Sequence, residues 1–193
     1  MSVDGAWSAK QLITSYLQWD MPQRLTEYRN RWQLDDGRLP DPEKYLSHEP
    51  VALDAWPTII TVQISTLGID REDYTSYGLD PLYRCRYQMR TFVWNRDNQS
   101  EGVTETRDRL TAVVRAALLD RPTMNQGPYS QEFQDIALDE GTLREEYSDI
   151  TQVKGDRFVA GAYLAYEFSL YEPVTRRVIG EVSSVDLDVD RLQ

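Results

Sequence analysis

The segment Leu143–Tyr171 constrains this chain most, because it reads as two strand-like arms joined by a short turn. The first arm, LREEYSDITQ (143–152), is almost wholly polar. The second, FVAGAYLAYEFSL (158–170), alternates apolar residues over an unusual length, and VKGD (153–156) turns one arm into the other. As a strand the second arm spans roughly 43 Å at ~3.3 Å per residue. Typical strands run about 17–20 Å. The pattern therefore predicts a hairpin that projects past the sheet anchoring it, with a polar arm read by a neighbour rather than lining a pocket.

The length of 193 residues suits one domain with an extension, and it can bury a real core. A formal charge of −11 argues against a protein that grips phosphates, which needs a basic stripe. It fits a soluble surface, or a wall that DNA slides past without sticking. Among the basic residues only Lys10, Lys44 and Lys154 are lysine. Arginine favours planar, bidentate contacts at interfaces, although a GC-rich genome gives the same bias. A single cysteine, Cys85, and a single histidine, His48, exclude a disulfide framework and a Cys/His zinc site within one chain. No apolar run approaches the ~20 residues of a membrane span. The start, MSVDGAWSAKQ, lacks the pattern of a signal peptide, which predicts a protein made in cytosol and used there or packaged from there.

Along the chain, Leu12, Ile13, Tyr16 and Leu17 predict a short helix over 7–19. Asp20 can cap a second helix, with Pro22 in its first turn and Leu25, Tyr28 and Trp32 on one face. DDGRLPDP (35–42) breaks the pattern. Residues 1–42 are thus expected to form a helical extension and linker, and 43–193 the main α+β domain. TIITVQI (58–64) predicts a strand, with a loop over 68–81. In YRCRYQMRTFVW (83–94), Tyr83, Cys85, Tyr87, Met89 and Val93 share one face, and Arg84, Arg86, Gln88 and Arg90 the other. A helix over 103–119 carries the stripe Leu110, Val113, Val114, Ala117, Leu118 and ends at Arg121-Pro122. Strands follow at 133–138, 143–152, 158–171 and 178–189. Ala160, Gly161, Ala162 and Ala165 suit close approach by a helix. The expected fold is a mostly antiparallel sheet covered by one main helix, with a long projecting hairpin and an N-terminal helical extension.

Candidate chemistry is sparse. His48 sits beside the linker with no nucleophile motif, and Cys85 lies in the apolar register of a strand. Asp186, Asp188 and Asp190 share a strand face; a calcium loop fails there because Arg191 stands where glycine is needed. Asp135, Asp139, Glu140, Glu145, Glu146 and Asp149 form a second acidic region without the marks of a glycosidase pair. No P-loop, GxGxxG or GxSxG is present. Arg84, Arg86 and Arg90 form a basic stripe that can meet acids of a neighbouring strand or subunit.

WPTIITVQI, YRCRYQMRTFVWNR, ETRDRLTAVVRAALLDRP and LDEGTLREEYSDITQVKGDRFVAGAYLAYEFSLYEP, in this order, resemble the tail terminator proteins of long-tailed phages (siphoviruses), especially those of actinobacteria. The resemblance covers roughly residues 56–173 and rests on the order of elements. It implies a structural virion protein of the tail or neck, assembled in host cytoplasm. Such a subunit forms a six-membered ring that caps the tail tube, ends tube polymerisation and joins the tail to the head–tail connector. It implies no enzyme activity, cofactor, metal or membrane, and a lumen through which DNA passes without specific binding. On this reading Arg144, Glu145, Glu146, Tyr147, Asp149, Lys154 and Arg157 form the subunit or partner interface. The charged strand faces Arg84/Arg86/Arg90 and Asp186/Asp188/Asp190 are further candidates. The rivals are another neck or tail component, such as a head-completion or tube subunit, and a small-ligand binding domain or hydrolase.

Overall fold

A computed structural model of the chain describes residues 5–72, 82–124, 137–148, 151–153 and 157–173. The elements run α1 (Gly5–Trp32), β1 (Lys44–Leu46), β2 (Thr58–Glu72), β3 (Leu82–Asp97), α2 (Ser100–Asp120), β4 (Ala137–Tyr147), β5 (Thr151–Val153) and β6 (Arg157–Pro173). One mixed, mostly antiparallel sheet has the order β1-β2-β3-β6-β4, with β5 pairing β6 beyond the end of β4. Only β1 is parallel to its neighbour β2. The α+β class is as expected.

Where two N-terminal helices were expected, a single α1 runs through Pro22. Proline removes a backbone donor and costs a helix interior roughly 3 kcal/mol. The burial stripe Ala9, Leu12, Ile13, Tyr16, Leu17, Met21, Leu25 keeps helical period across it, and each large side chain returns about 1.5–3 kcal/mol. Asp20, expected to cap, instead binds Arg24 one turn on, and Arg24 Nη2 donates to Asp120 of α2 at 2.9 Å. The helix ends with Gln33 at φ 55° and Leu34 N donating to Arg29 O at 3.0 Å, a left-handed cap.

The core lies between one sheet face and both helices. Ile59, Cys85, Tyr87, Met89, Val93, Leu164, Tyr166, Phe168 and Leu170 meet the α1 stripe and Leu110, Val113, Val114, Ala117 and Leu118 of α2. Two helices therefore cover the sheet, not one, and the expected extension packs into the same core. Tyr16 Oη donates to Ala117 O at 2.8 Å, tying α1 to α2. A buried hydroxyl chain crosses three strands, with Thr91 Oγ1 3.2 Å from Thr61 Oγ1 and 2.8 Å from Tyr166 Oη.

The hairpin does not project as expected. β6 is paired with β3 over its whole length from Phe158 to Pro173, so the long apolar arm is an interior strand of an equally long sheet. The arm's polar partner is split into β4 and β5, both on the same edge of β6. β4 itself merges two expected segments. It advances from Asp139 to Arg144 while β6 moves only from Glu167 to Ala165, a wide bulge. Asp139 and Thr142 close that bulge: Gly141 N donates to Asp139 Oδ1 at 3.0 Å, and Thr142 Oγ1 accepts from Glu167 N at 2.8 Å. β2 also exceeds its expected end, continuing to Glu72 through irregularities at Gln63/Ser65 and Thr66/Gly68. The expected strand 178–189 lies outside the described residues.

Candidate functional site

Alternation in β4 divides the expected interface residues between two surfaces. Glu145 and Tyr147 face the helix layer, opposite Leu164 and Ala162. Arg115 Nη1 of α2 donates to Glu145 Oε1 at 2.7 Å, and Tyr147 Oη donates to Glu145 Oε2 at 2.8 Å. The Arg107 guanidinium lies 5.0 Å from the centre of the Tyr147 ring. Partial burial, then the bond to Glu145, pushes the Tyr147 phenol up to about 12. These two residues are spoken for inside the subunit.

Arg144 and Glu146 face the opposite, outer side of the sheet, across from Ala165 and Tyr163. The Tyr163 hydroxyl donates to the Glu146 carboxylate, and this bond leads the upward shift of the Tyr163 phenol. Around Tyr163 the outer face builds an aromatic row. Phe92 lies 5.3 Å from Tyr163 and stacks on Trp94 at 6.4 Å, and Arg90 sits 4.6 Å over the Tyr163 ring. Gly161 lies under the Trp94 ring. A Cβ there would stand 2.6 Å from two indole carbons, so its small size serves the outer face and not, as expected, a helix.

The junction after β4 is held by residues that sequence reasoning missed. Ser148 Oγ both donates to Gly161 O at 2.8 Å and accepts from Gly161 N at 2.9 Å, which extends the ladder through a side chain. Arg107, 7% exposed, donates to Ser148 O at 3.0 Å and to Asp108 at 2.8 Å. Nothing in the local sequence YSDI marks Ser148, because its partner is set by a pairing across the hairpin. Arg157 is exposed at the start of β6. Asp149, Lys154, Asp135 and the acids Asp186, Asp188 and Asp190 lie outside the described residues; Asp139 and Glu140 are exposed on β4.

Arg84, Arg86 and Arg90 do share the outer face, as the alternation required. Arg86 Nε lies 3.4 Å from Asp70 on β2, and Arg84 Nη2 reaches Ser169 Oγ at 3.5 Å. At the sheet's β2 margin, Ile64, Leu67 and Ile69 stay 44%, 42% and 63% exposed. β1 flanks only Thr58–Ile60, so among the described residues β2 has one neighbour from Thr61 to Glu72. β4 likewise has no neighbour on its far side among them.

His48 is exposed, and Cys85 is buried, with burial first and Glu172 second pushing its thiol up. A cavity of about 320 Å³ opens beside the aromatic row, lined by Glu49, Pro50, Leu53, Ile60, Phe92 and Trp94. Among the described residues no cluster of His, Cys, Asp or Glu is placed to hold a metal ion, and no helix is long and apolar enough to cross a membrane. No protein-family model matches the chain, and no curated protein matches it.

Proposed function

We propose that this chain is the tail terminator subunit of a long-tailed phage, a structural protein that forms a closed ring on the tail tube. The ring ends tube polymerisation and presents a face to the head–tail connector. The observation that carries this reading is a sheet with two unlike open edges among the described residues, β4 at one side and β2 beyond Ile60 at the other. A ring of identical subunits needs such a pair, because each copy must offer one surface to the copy before it and another to the copy after. The strand directions are compatible with this. β2 and β6 point the same way, each antiparallel to β3, and β4 opposes β6. The β4 edge of one copy therefore meets the β2 edge of the next in antiparallel sense.

The side chains at these edges also suit assembly. Ile64, Leu67 and Ile69 supply exposed apolar area on β2. Arg144 and Glu146 supply opposite charges on β4, which set register more than affinity. A charge of −11 suits a channel wall that DNA passes without binding. The test uses purified tail tubes mixed with the protein and imaged by negative stain. Rings at tube ends support the proposal, and R144E with E146K leaves folded protein that decorates ends poorly. Bare tube ends in the presence of folded wild-type protein contradict it.

The small-ligand reading has the cavity beside Phe92 and Trp94 in its favour. A saturable rise in melting temperature with a small molecule, abolished by Phe92→Ala, would favour that reading instead.

A further inference from the structure

We propose that Arg86 of one subunit grips the acidic turn Asp139–Glu140 of the next, where the β2 margin meets the β4 edge; this contact rests on the ring reading above. Gly68 shows how the arginine is aimed. It stands opposite Arg86 in the β2–β3 pairing. The Arg86 guanidinium lies over that glycine, so close that a Cβ there would stand 2.7 Å from Nη2. The charge of a β3 residue is thereby laid onto β2, the strand with the open margin. From Thr61 to Ile69 β2 has no charged side chain of its own, so Arg86 supplies the charge presented there. Its pairing inside the subunit is incomplete. Asp70, its one carboxylate partner among the described residues, stands 3.4 Å from Nε, and Nε makes no hydrogen bond.

The β4 edge carries the opposite charge at the same level of the sheet. Asp139 stands opposite Glu167 of β6, Glu167 opposite Gln88 of β3, and Gln88 opposite Ser65 of β2. A sheet continued from one copy to the next without stagger sets Asp139 beside Ser65 of that copy. Gly68 of the same copy is then one pleat away, ~7 Å along the strand, with the two strands ~4.8 Å apart. A guanidinium already lying over Gly68 reaches that far. Thr142 ties the turn back to β6, and Asp139 and Glu140 are both exposed. Glu140 makes no hydrogen bond or ion pair among the described residues. Two copies at −11 each repel as bodies. A cation held over the edge where the acids arrive offsets that repulsion locally and fixes the register of the junction.

The test mixes purified tail tubes with wild type, E140R, R86E and R86E/E140R, and counts ring-bearing tube ends by negative stain over a range of protein concentrations. Each single reversal should need at least tenfold more protein for half-occupancy, because like charges then face each other at every junction. The double swap should return to within about threefold of wild type. A second measurement does not depend on R86E folding. R86C/E140C in a Cys85→Ser background, bound to tubes and oxidised, should give a ladder of cross-linked subunits. Within one copy these positions lie two strands apart, about 10 Å, beyond the reach of a disulfide, so the ladder reports contact between copies. Wild-type protein that leaves tube ends bare removes the ring reading and this contact with it. Rings at wild-type ends that E140R leaves unaffected, a folded double swap that fails to restore binding, or rings without a cross-linked ladder overturn this contact and leave the ring standing.

Discussion

Gly161→Ala isolates the packing of the outer face in one methyl group. The added Cβ would stand 2.6 Å from Cε3 and Cζ3 of Trp94 and 2.9 Å from Cη2. The indole cannot swing away freely, because it stacks on Phe92, and Phe92 packs on Tyr163. Overpacking of this kind costs about 1–3 kcal/mol. Without the clash the same substitution would stabilise a strand by roughly 0.5–1 kcal/mol, since glycine loses more backbone entropy on folding. The sign of the effect therefore decides the argument. At ~2–4 °C per kcal/mol for a domain of this size, a net loss near the middle of the range lowers the melting temperature by roughly 5 °C. Thermal and urea unfolding of wild type, G161A, W94L and W94L/G161A close a double-mutant cycle. With the indole gone, G161A should cost less than about 0.5 kcal/mol, giving a coupling well above the additivity error. A neutral or stabilising G161A in the wild-type background, or strictly additive costs, would refute the packing argument.

Arg107→Ala should destabilise by about 2 kcal/mol, because it leaves the Ser148 carbonyl without its charged donor, and hydrogen exchange should quicken selectively at the β4–β5 junction. Thr91→Val should cost about 1–3 kcal/mol by orphaning the buried Tyr166 hydroxyl, with an unchanged urea m-value. Tyr16 predicts an alkaline effect. Burial first, then Asp20, pushes its phenol up to about 12 from 10.0, so its contribution is complete below pH 10 and is lost as pH rises through 12. The difference in stability between wild type and Tyr16→Phe should therefore shrink over pH 10–12, by about 1–3 kcal/mol. A difference constant across that window would exclude Tyr16 as its source.

The parts of the fold legible in sequence are those set by local period. The α2 stripe Leu110–Leu118 and the alternation Cys85, Tyr87, Met89, Val93 against Arg84, Arg86, Arg90 both appear in the structure where period placed them. What failed depended on non-local facts. Pro22 looked like a helix start because propensity weighs one donor, whereas the continuous burial of Ile13 through Leu25 outweighs it. The hairpin looked like a projection because its length was compared with an average sheet, and β3 proved equally long. Gly161 and Ala160 looked like one small-residue tract, yet alternation sends them to opposite faces, one under Trp94 and one to the buried side. Of the interface residues, spacing alone could not tell that Arg115 of α2 would claim Glu145 and leave Glu146 to Tyr163. The open margin of β2 was hidden for the same reason, since Ile64 and Leu67 fall where the two bulges break the alternation and Ile69 resumes it opposite Cys85.

The central claim is most directly tested by polymerising purified tail-tube protein with and without this chain and measuring tube lengths by electron microscopy. A terminator predicts short tubes at substoichiometric amounts, each bearing one added ring, with the chain alone forming no tubes. Tubes of unchanged length and bare ends, or long tubes formed by this chain alone, would contradict it.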